Sequence, residues 1–593
     1  MNRFLRYLAV IVAAAVVSAS FVSVNAAEVQ PAVKAFLDVP EKNPAFTAVA
    51  SLRSMGITEG IGGNRFGLGK PLTRGEFVTW LVKLMGLKLE APAKGSFPDN
   101  LDKTKYYYKP AETALKYGII TKDAKFRPAA NITREEMAVM LIRSLGYDDV
   151  AAKLAYLGKP YTDTATNTGY ITMVRDFGLM DAADAAGTLF KPAGAVLREQ
   201  AAVSLMSTYE KLNAPVSELN AFYAIKSDPQ KDKIPDLSSV CFGWSRLTFD
   251  AQAGQVLLNT VRDGTANQEY YVPDGFAERV QMAKQAGIPA MLSVFATQDV
   301  KAADAASGSA VGLVEYVLTK PGAGEKLIED IAALLDDTSR DGASESFDGV
   351  VIDFEGLKGE ALKTAFNSFL KKLRTRLDES GKKLYVTVHP RIAAARSSTC
   401  FDGYDFKTIG GLADKVILMA HDYDAISLTD AEMAMGWDNT PLTPFEDVYY
   451  ALEAITDKNS GVQDKSRIML QFSFGWTVWQ KQDGKVLNRK ALNYDYQNFL
   501  EVLKGDFTLN YSKNARNPYL NVTDAISGIK NTVWYEDSRS VLEKIKLAEM
   551  FGVQGFSLWR LGQIPDFLSQ EGSMPVYMDV WQTILSEMGD KKP

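Results

Sequence analysis

Residues 347–355, FDGVVIDFE, are a short β-branched run that ends in two carboxylates, Asp353 and Glu355. In a β-strand the side chains at i and i+2 point to the same face, so these carboxylates lie side by side. Two carboxyl groups this close cannot both ionise freely, and we expect one of them to have a raised pKa. A carboxylic acid that stays protonated near neutral pH can protonate a leaving oxygen. The stretch therefore predicts a strand that carries acid–base chemistry at its C-terminal end.

Similar apolar runs alternate with helical stretches through the C-terminal part of the chain. This alternation predicts a parallel sheet with helices outside it. Seven runs, with a weaker eighth near Tyr270–Val272, favour an α/β fold, the closed (β/α)8 TIM barrel, over an open doubly wound sheet. An open doubly wound sheet is expected to have a glycine-rich phosphate loop after its first strand, and the sequence has none there. The seven runs are Val240–Trp244, Ala290–Phe295, Gly349–Phe354, Leu384–Val388, Val416–Met419, Ile468–Phe472 and Gly555–Leu558.

Polar and aromatic residues at the ends of these strands are the candidates for function, because barrel active sites lie at the C-terminal ends of the strands. The chain has only two histidines, and both fall at predicted strand ends, which favours a functional role for His421. No third ligand stands out beside them, so we expect no metal site and no cofactor. The candidates are Asp353, Glu355, His389, His421 with Asp422, and Trp559 with Arg560.

The sequence from about residue 236 to 585 resembles glycoside hydrolase family 18. It departs from the family pattern at two places. Val351 stands where the fourth-strand motif has Asp or often Asn, and His421 stands where the sixth-strand motif has Tyr. The stretch 533–537 (VWYED) looks like the spore-cortex and peptidoglycan-processing branch of the family. The residues that match the family motifs are Asp348, Gly349, Asp353, Glu355, Asp422 and Trp559.

The resemblance implies a glycosidase that cleaves β-linked N-acetylglucosamine polymers, peptidoglycan or chitin-like, by substrate-assisted retaining catalysis. Glu355 would be the general acid and then the base, while Asp353 would orient the substrate's 2-acetamido group, whose carbonyl oxygen attacks the anomeric carbon. Val351 and His421 favour the alternative, a non-catalytic carbohydrate-binding or structural surface-layer protein on the same barrel. The implied catalytic residues are Glu355, Asp353, Asp348, His421 and Asp422, and the implied sugar-binding residues are Trp559, Trp244, Trp476 and Trp534.

The N-terminal third contains three copies of one pattern, at residues 32–90, 91–150 and 155–212. Each copy opens with an aromatic residue and an Asp and closes with a helix start that carries an Arg. In the first two copies a Thr followed three residues later by Glu predicts a capping box. A cation in the first turn opposes the helix dipole, and a negatively charged partner would offset that cost. The three arginines are Arg74, Arg134 and Arg198.

These copies resemble the S-layer homology (SLH) module. The resemblance implies an α-helical module that binds an acidic, pyruvylated secondary cell-wall polymer, with Arg74 and Arg134 contacting the polymer. The third copy departs from the pattern, because Leu197 replaces the Thr and Gln200 replaces the Glu. Arg198 is retained, but the departure leaves its role in binding open.

Residues 1–26 are predicted to be a secretory signal peptide, since two arginines precede an apolar stretch that ends in small residues. Three prolines and a charged cluster predict a linker at 213–235, followed by the barrel at 236–590. The two cysteines, Cys241 and Cys400, leave one disulfide or two free thiols open.

Composition excludes some partners. The net charge of −6 argues against a nucleic-acid-binding surface. We expect no membrane attachment after signal cleavage, because no later segment is long and apolar enough to span a bilayer. The sequence thus predicts a secreted protein attached to the cell wall of a Gram-positive-type bacterium, with the secondary wall polymer and a polysaccharide substrate as its partners.

Overall fold

The computed structural model describes residues 36–155, 159–304, 309–391, 402–423, 427–494, 506–524, 526–566 and 577–589. The chain divides into two compact units, Met1–Ala214 and Pro215–Pro593, which are described separately below. The predicted signal peptide and Cys400 lie outside the described residues, and Cys241 is a buried free thiol. No helix within the described ranges is long and apolar enough to cross a membrane.

The N-terminal unit is α-helical, as predicted for all three copies of the repeat. The capping boxes expected in the first two copies are formed at the helices that begin at Arg74 and Arg134. In the third copy, Gln200 Oε1 still accepts a hydrogen bond from the Leu197 N–H at 3.0 Å. The helices are Phe46–Ser54, Arg74–Leu84, Tyr108–Lys116, Arg134–Ser144, Asp148–Leu154, Thr168–Asp176 and Arg198–Leu212.

The C-terminal unit contains a closed barrel of eight parallel strands, which confirms the predicted fold class. The order around the barrel is β1-β8-β7-β6-β5-β4-β3-β2, and it closes because β1 pairs with β2 as well as with β8. In chain order the strands are β1 (Glu218–Tyr223), β2 (Ser239–Asp250), β3 (Ala290–Thr297), β4 (Gly349–Glu355), β5 (Lys383–Val388), β6 (Lys415–Leu418), β7 (Ile468–Ser473) and β8 (Gly555–Trp559).

The first barrel strand lies where the sequence predicts a linker, and that prediction is wrong. β1 (Glu218–Tyr223) and the 3₁₀ segment Ile225–Asp236 take up most of the predicted linker, so the barrel begins at Glu218. The stretch Tyr270–Val272, predicted as the eighth strand, is not a strand. β1 is short, carries a polar Asn220 and precedes a proline-rich segment, so its local sequence gives a weak strand signal. Its parallel pairing with two neighbours, a tertiary effect, makes it a strand.

Helices alternate with the barrel strands, and a six-stranded antiparallel sheet is inserted after β7. The strands of this inserted sheet are Trp476–Gln482, Lys485–Val486, Leu492–Tyr494, Phe507–Ser512, Asn517–Thr523 and Lys530–Trp534. The other short strands are Gln255–Asn259, Lys301–Asp304, Ser309–Gly312, Thr338–Arg340 and Ala343–Glu345. The helices are Phe276–Gln285, Leu313–Thr319, Ala323–Asp336, Gly359–Asp378, Phe406–Leu412, Asp430–Ala434, Phe445–Thr456, Ser538–Phe551 and Val580–Glu587, with a 3₁₀ turn at Lys465–Arg467.

One apolar layer fills the barrel below the ends of the strands. Each of the eight strands contributes one side chain to this layer. The side chain from β4 is Val351, which lies two residues before Asp353. Because side chains two apart on a strand share a face, Asp353 points into the barrel directly above this layer. The layer consists of Phe222, Cys241, Met291, Val351, Tyr385, Ile417 and Met469, with Trp559 packed against it.

Candidate functional sites

Asp353 lies near the C-terminal end of β4 and is almost entirely buried, with 4% of its surface exposed. Its Oδ1 accepts a hydrogen bond of 2.6 Å from the Thr387 hydroxyl on β5. Burial raises the pKa of Asp353 to about 6, although Thr387 and His421 favour the charged form. The carboxyl is therefore ionised at neutral pH while remaining a strong hydrogen-bond acceptor.

Glu355 is the last residue of β4 and shares the inner face with Asp353. Burial, followed by the negative charges of Asp353 and Asp422, raises the pKa of Glu355 to about 8. At pH 7 the two carboxyl groups thus hold opposite protonation states, Glu355 neutral and Asp353 charged. That combination provides a general acid beside a fixed anion, as expected from the sequence.

His421 and Asp422 follow β6 at the same end of the barrel. The Nδ1 atom of His421 is 2.9 Å from Oδ2 of Asp422, and its Nε2 atom is 2.8 Å from Oε1 of Gln471 on β7. Burial opposes the charge on His421, but Asp422 and Gln471 outweigh it and raise the pKa of the imidazole above its ordinary value. Burial would raise the pKa of Asp422, and the neighbouring His421 instead holds it low.

The other histidine at a strand end behaves differently. Burial, reinforced by the nearby His421, lowers the pKa of His389 to about 4, so its imidazole is neutral at pH 7. Within the described residues, no cluster of three or more His, Cys, Asp or Glu side chains has the arrangement of a metal site.

Two aromatic side chains lie at the same end of the barrel as the carboxylates. Trp559, at the end of β8, is only partly buried and packs edge-on against Phe222, with ring centroids 5.3 Å apart. Tyr270 stacks on Phe295 of β3 at 4.3 Å, and burial together with Asp353 and Glu355 raises the pKa of its phenol well above the usual value. The sequence prediction missed Tyr270 as a site residue, because it lies in a loop and its only signal was a weak strand pattern.

The three repeats of the N-terminal unit interlock in a cycle. The helix-start Arg of each copy donates through Nε to the carbonyl of a Phe in the next copy, and the third copy donates back to the first. An Asp of the receiving copy accepts from the N–H of that same Phe. The donor–acceptor pairs are Arg74–Phe126, Arg134–Phe190 and Arg198–Phe66, at 3.0, 2.6 and 2.8 Å.

Two of the three arginines are neutralised within the protein. The capping-box Glu136 of the second copy forms an ion pair of 3.1 Å with Arg74, and Glu76 of the first copy pairs with Arg198. Both arginines are buried, with 6% and 2% of their surface exposed. The burial and pairing of Arg74 argue against the direct polymer contact predicted for it, and the same holds for Arg198, whose role in binding the sequence left open.

Arg134 is the exception, and the cycle explains it. Its partner position in the third copy is Gln200, which carries no charge, so no carboxylate in the described part of the chain lies within ion-pairing distance of Arg134. Arg134 and Gln200 both line a cavity of about 420 Å³. The departure of the third copy from the SLH pattern thus affects Arg134 rather than Arg198.

Comparison with known proteins agrees with this geometry. The family model of glycosyl hydrolases family 18 matches residues 311–563, and the model of the S-layer homology domain matches residues 35–78 and 97–138. The barrel is a family 18 domain. The N-terminal unit carries SLH repeats, and its third copy, which the SLH model does not match, retains the same Arg–Phe and Asp–Phe contacts.

Relatives of the chain include two Bacillus proteins. The chain is 27% identical over 215 residues to the cortical fragment-lytic enzyme of Bacillus anthracis, covering 35% of this chain and 45% of the relative. It is 25% identical over 259 residues to the putative sporulation-specific glycosylase YdhD of Bacillus subtilis, covering 43% and 54%. The chain thus spans about half the length of these relatives. A putative chitinase C-terminal domain from Desulfitobacterium hafniense aligns with 63% of this chain and all of that chain, at 20% identity and a TM-score of 0.46.

The first Asp of the family 18 motif is not part of the site. Asp348 precedes β4 at the opposite end of the strand, five residues or about 16 Å before Asp353. Its Oδ2 accepts a hydrogen bond of 2.8 Å from the Ala290 N–H at the start of β3. Its predicted catalytic role is therefore wrong, and the residue instead links the N-terminal ends of β3 and β4 by this hydrogen bond.

Three of the four tryptophans predicted to bind sugar are also placed elsewhere. Trp244, Trp476 and Trp534 have 0%, 1% and 2% of their surface exposed, so no sugar ring can stack on them. Trp244 stacks on Phe242, and Trp476 and Trp534 belong to the hydrophobic clusters of the inserted sheet. The sugar-binding prediction is wrong for these three, and Trp559 is the one that remains available.

Proposed function

We propose that the chain is a secreted glycosidase, anchored to the bacterial cell wall, that hydrolyses β-linked N-acetylglucosamine polymers by substrate-assisted retaining catalysis. The observation that carries this proposal is the pair of carboxyl groups on β4, the buried Asp353 and the partly buried Glu355, with pKa values of about 6 and about 8. The match of the barrel to family 18 and its similarity to a cortical fragment-lytic enzyme support a polysaccharide substrate.

In the proposed reaction, the neutral Glu355 donates its proton to the glycosidic oxygen as the bond to the anomeric carbon breaks. The carbonyl oxygen of the substrate's own 2-acetamido group attacks that carbon and forms an oxazolinium ion. Asp353, ionised and held by Thr387, orients the acetamido N–H and stabilises the positive charge that develops there. Glu355 then removes a proton from water, which opens the oxazolinium with overall retention of configuration.

Trp559 supports the sugar in this scheme. Its indole is partly exposed and packs against the apolar layer of the barrel, so the hydrophobic face of a pyranose can stack on it. Tyr270, whose phenol is influenced by the charges of both carboxyl groups, is a further contact for the same sugar.

For the anchor, we infer that the SLH unit binds the acidic wall polymer chiefly in the cavity at Arg134. Arg134 offers a guanidinium with no carboxylate of the described residues within ion-pairing distance, which is what an anionic ligand requires. Two acidic residues, Asp181 and Glu199, also line this cavity, and Glu199 accepts a hydrogen bond of 3.0 Å from the Gly69 N–H. Such binding places the protein at the surface of a Gram-positive-type cell.

The test of catalysis uses purified cell-wall sacculi and chitin oligomers, with the products read by mass spectrometry. Glu355→Gln should reduce cleavage by at least about 10²-fold, the lower range for loss of a general acid. Asp348→Asn is the matched control, since it changes a carboxylate of the same motif at the opposite end of the strand, and it should leave the rate nearly unchanged. A fully active Glu355→Gln variant would refute the assignment.

A non-catalytic, carbohydrate-binding role is the second candidate, and Val351 is the observation that favours it. Its side chain belongs to the apolar layer, so Asp353 has no carboxyl neighbour below it with which to share a proton. Binding of chitin oligomers without any product, in the wild type as in Glu355→Gln, would establish this role instead.

A further inference from the structure

A row of buried polar side chains crosses four adjacent strands and ends at His421. Gln471 of β7, Ser557 of β8, Asn220 of β1 and Ser239 of β2 are neighbours in register across the sheet. Each of these four residues has 3% or less of its surface exposed. Polar atoms at such depth are expected to be fully hydrogen-bonded, so the direction of each bond in the row can be worked out.

The direction is set at the far end by a backbone carbonyl. The Ser239 carbonyl oxygen can only accept, so the atom of Asn220 that lies 3.2 Å from it must be the donor, Nδ2. Asn220 Oδ1 therefore faces the Ser557 hydroxyl at 2.8 Å, and the single hydroxyl proton is donated to it. The Ser557 oxygen has only lone pairs left, so it accepts from Gln471 Nε2 at 3.2 Å.

The same logic reaches the imidazole. With its amide nitrogen committed to Ser557, Gln471 presents Oε1 to His421 at 2.8 Å, and Nε2 of His421 must carry a proton to donate to it. On the other side of the ring, Nδ1 faces a carboxylate oxygen of Asp422 at 2.9 Å. A carboxylate oxygen this close would repel the lone pair of an unprotonated Nδ1, and the lowered pKa of Asp422 keeps that carboxylate ionised, so Nδ1 carries a proton.

We propose that the row Asn220–Ser557–Gln471 and Asp422 together hold His421 as an imidazolium cation, which acts as a positioning residue through its charge. The role of this charge in catalysis rests on the proposed function, whereas the charge state of His421 does not. Nε2 donates to Gln471 Oε1, and Nδ1 lies within ion-pairing distance of Asp422. The N–H at Nε2 is therefore not available to replace the Tyr hydroxyl of family 18 as a hydrogen-bond donor to the substrate.

The charge has a defined environment. Among the described residues, the ionisable groups that face the imidazole are Asp422 beside it, Asp353 and Glu355 on β4, and His389 after β5. Val351 removes a carboxyl that the family motif has, and His421 adds a positive charge where the motif has a neutral phenol. Both departures shift the site in the positive direction, which favours the ionised form of Asp353.

The test is a histidine titration of the full chain by NMR with isotope-labelled histidine. The chain contains only two histidines, so a His389→Asn variant leaves a single imidazole signal to follow. We expect His421 to titrate clearly above the ordinary value of about 6.5, with protons on both ring nitrogens at pH 7. A neutral imidazole at pH 7, or titration at or below the ordinary value, would overturn the proposal.

A second pair of variants tests the row itself. In the His389→Asn background, Gln471→Met removes the acceptor at similar size and should lower the titration midpoint of His421 by about one unit. Gln471→Glu should raise it, while Gln463→Met, at an exposed position, is the matched control and should not shift it. Identical midpoints for Gln471→Met and Gln463→Met would refute the role of the row. These readouts need no substrate, so they remain decisive even if the protein proves not to be a glycosidase.

Discussion

Removing the charge of Glu355 should stabilise the barrel at alkaline pH while abolishing its activity. The carboxyl has a pKa of about 8 in the folded protein and about 4.3 in an unfolded chain. Between these pH values the folded state binds the extra proton, so the free energy of unfolding falls as the pH rises from about 4 to about 8 and then levels off. Glu355→Gln, which cannot ionise, should not show this fall.

The size of the effect follows from the pKa difference. A difference of roughly 3.7 units at 1.36 kcal/mol each sets an upper limit of about 5 kcal/mol above pH 8. The charge of Asp353 supplies part of that difference, and relaxation of the site reduces it, so we expect about 2–5 kcal/mol. For a unit of this size the gain corresponds to a rise in Tm of roughly 3–8 °C.

The assay is differential scanning calorimetry of the full chain at pH 5 and pH 9. At pH 9 the barrel transition of Glu355→Gln should lie above that of the wild type, and at pH 5 most of this difference should be absent. Asp348→Asn, a change of charge at an exposed carboxylate, should show no such pH-dependent gain. Equal stability of wild type and Glu355→Gln at pH 9 would refute the raised pKa and, with it, the assignment of Glu355 as a proton donor at neutral pH.

Three further outcomes are expected. The rate of hydrolysis should follow a bell-shaped pH profile with limbs near 6 and 8, since catalysis needs ionised Asp353 and protonated Glu355, and a rate that is flat from pH 5 to 9 would contradict this. Arg134→Ala should weaken binding to sacculi by roughly 10- to 100-fold in a sedimentation assay, as expected for loss of a charge-assisted contact, whereas Arg74→Ala should bind nearly as wild type. Val351→Asp, which places a carboxyl within the apolar layer, should lower the barrel Tm, and unchanged stability would show that the layer tolerates charge.

Local signals explain what the sequence predicted well. Seven barrel strands could be predicted because each is a short apolar run, a pattern that can be recognised without knowing the neighbouring strands. The spacing of Asp353 and Glu355 alone places both on one face of β4. The sequence predicted one raised pKa from the closeness of the two carboxyl groups, whereas burial, a tertiary effect, raises the pKa of both. The capping boxes depend on residues three apart, and they too were confirmed.

What the sequence by itself determined, then, are the two-part architecture, the barrel and its carboxyl pair, because these depend on residues close together in the chain. Only the tertiary structure decided which aromatic and cationic side chains are available. It buries Trp244 and Trp476, it pairs Arg74 with a carboxylate from another repeat, and it leaves Arg134 unmatched beside Gln200. Burial and charge pairing depend on contacts between residues far apart in sequence. No local pattern records such contacts, and the tertiary structure alone brings their partners together.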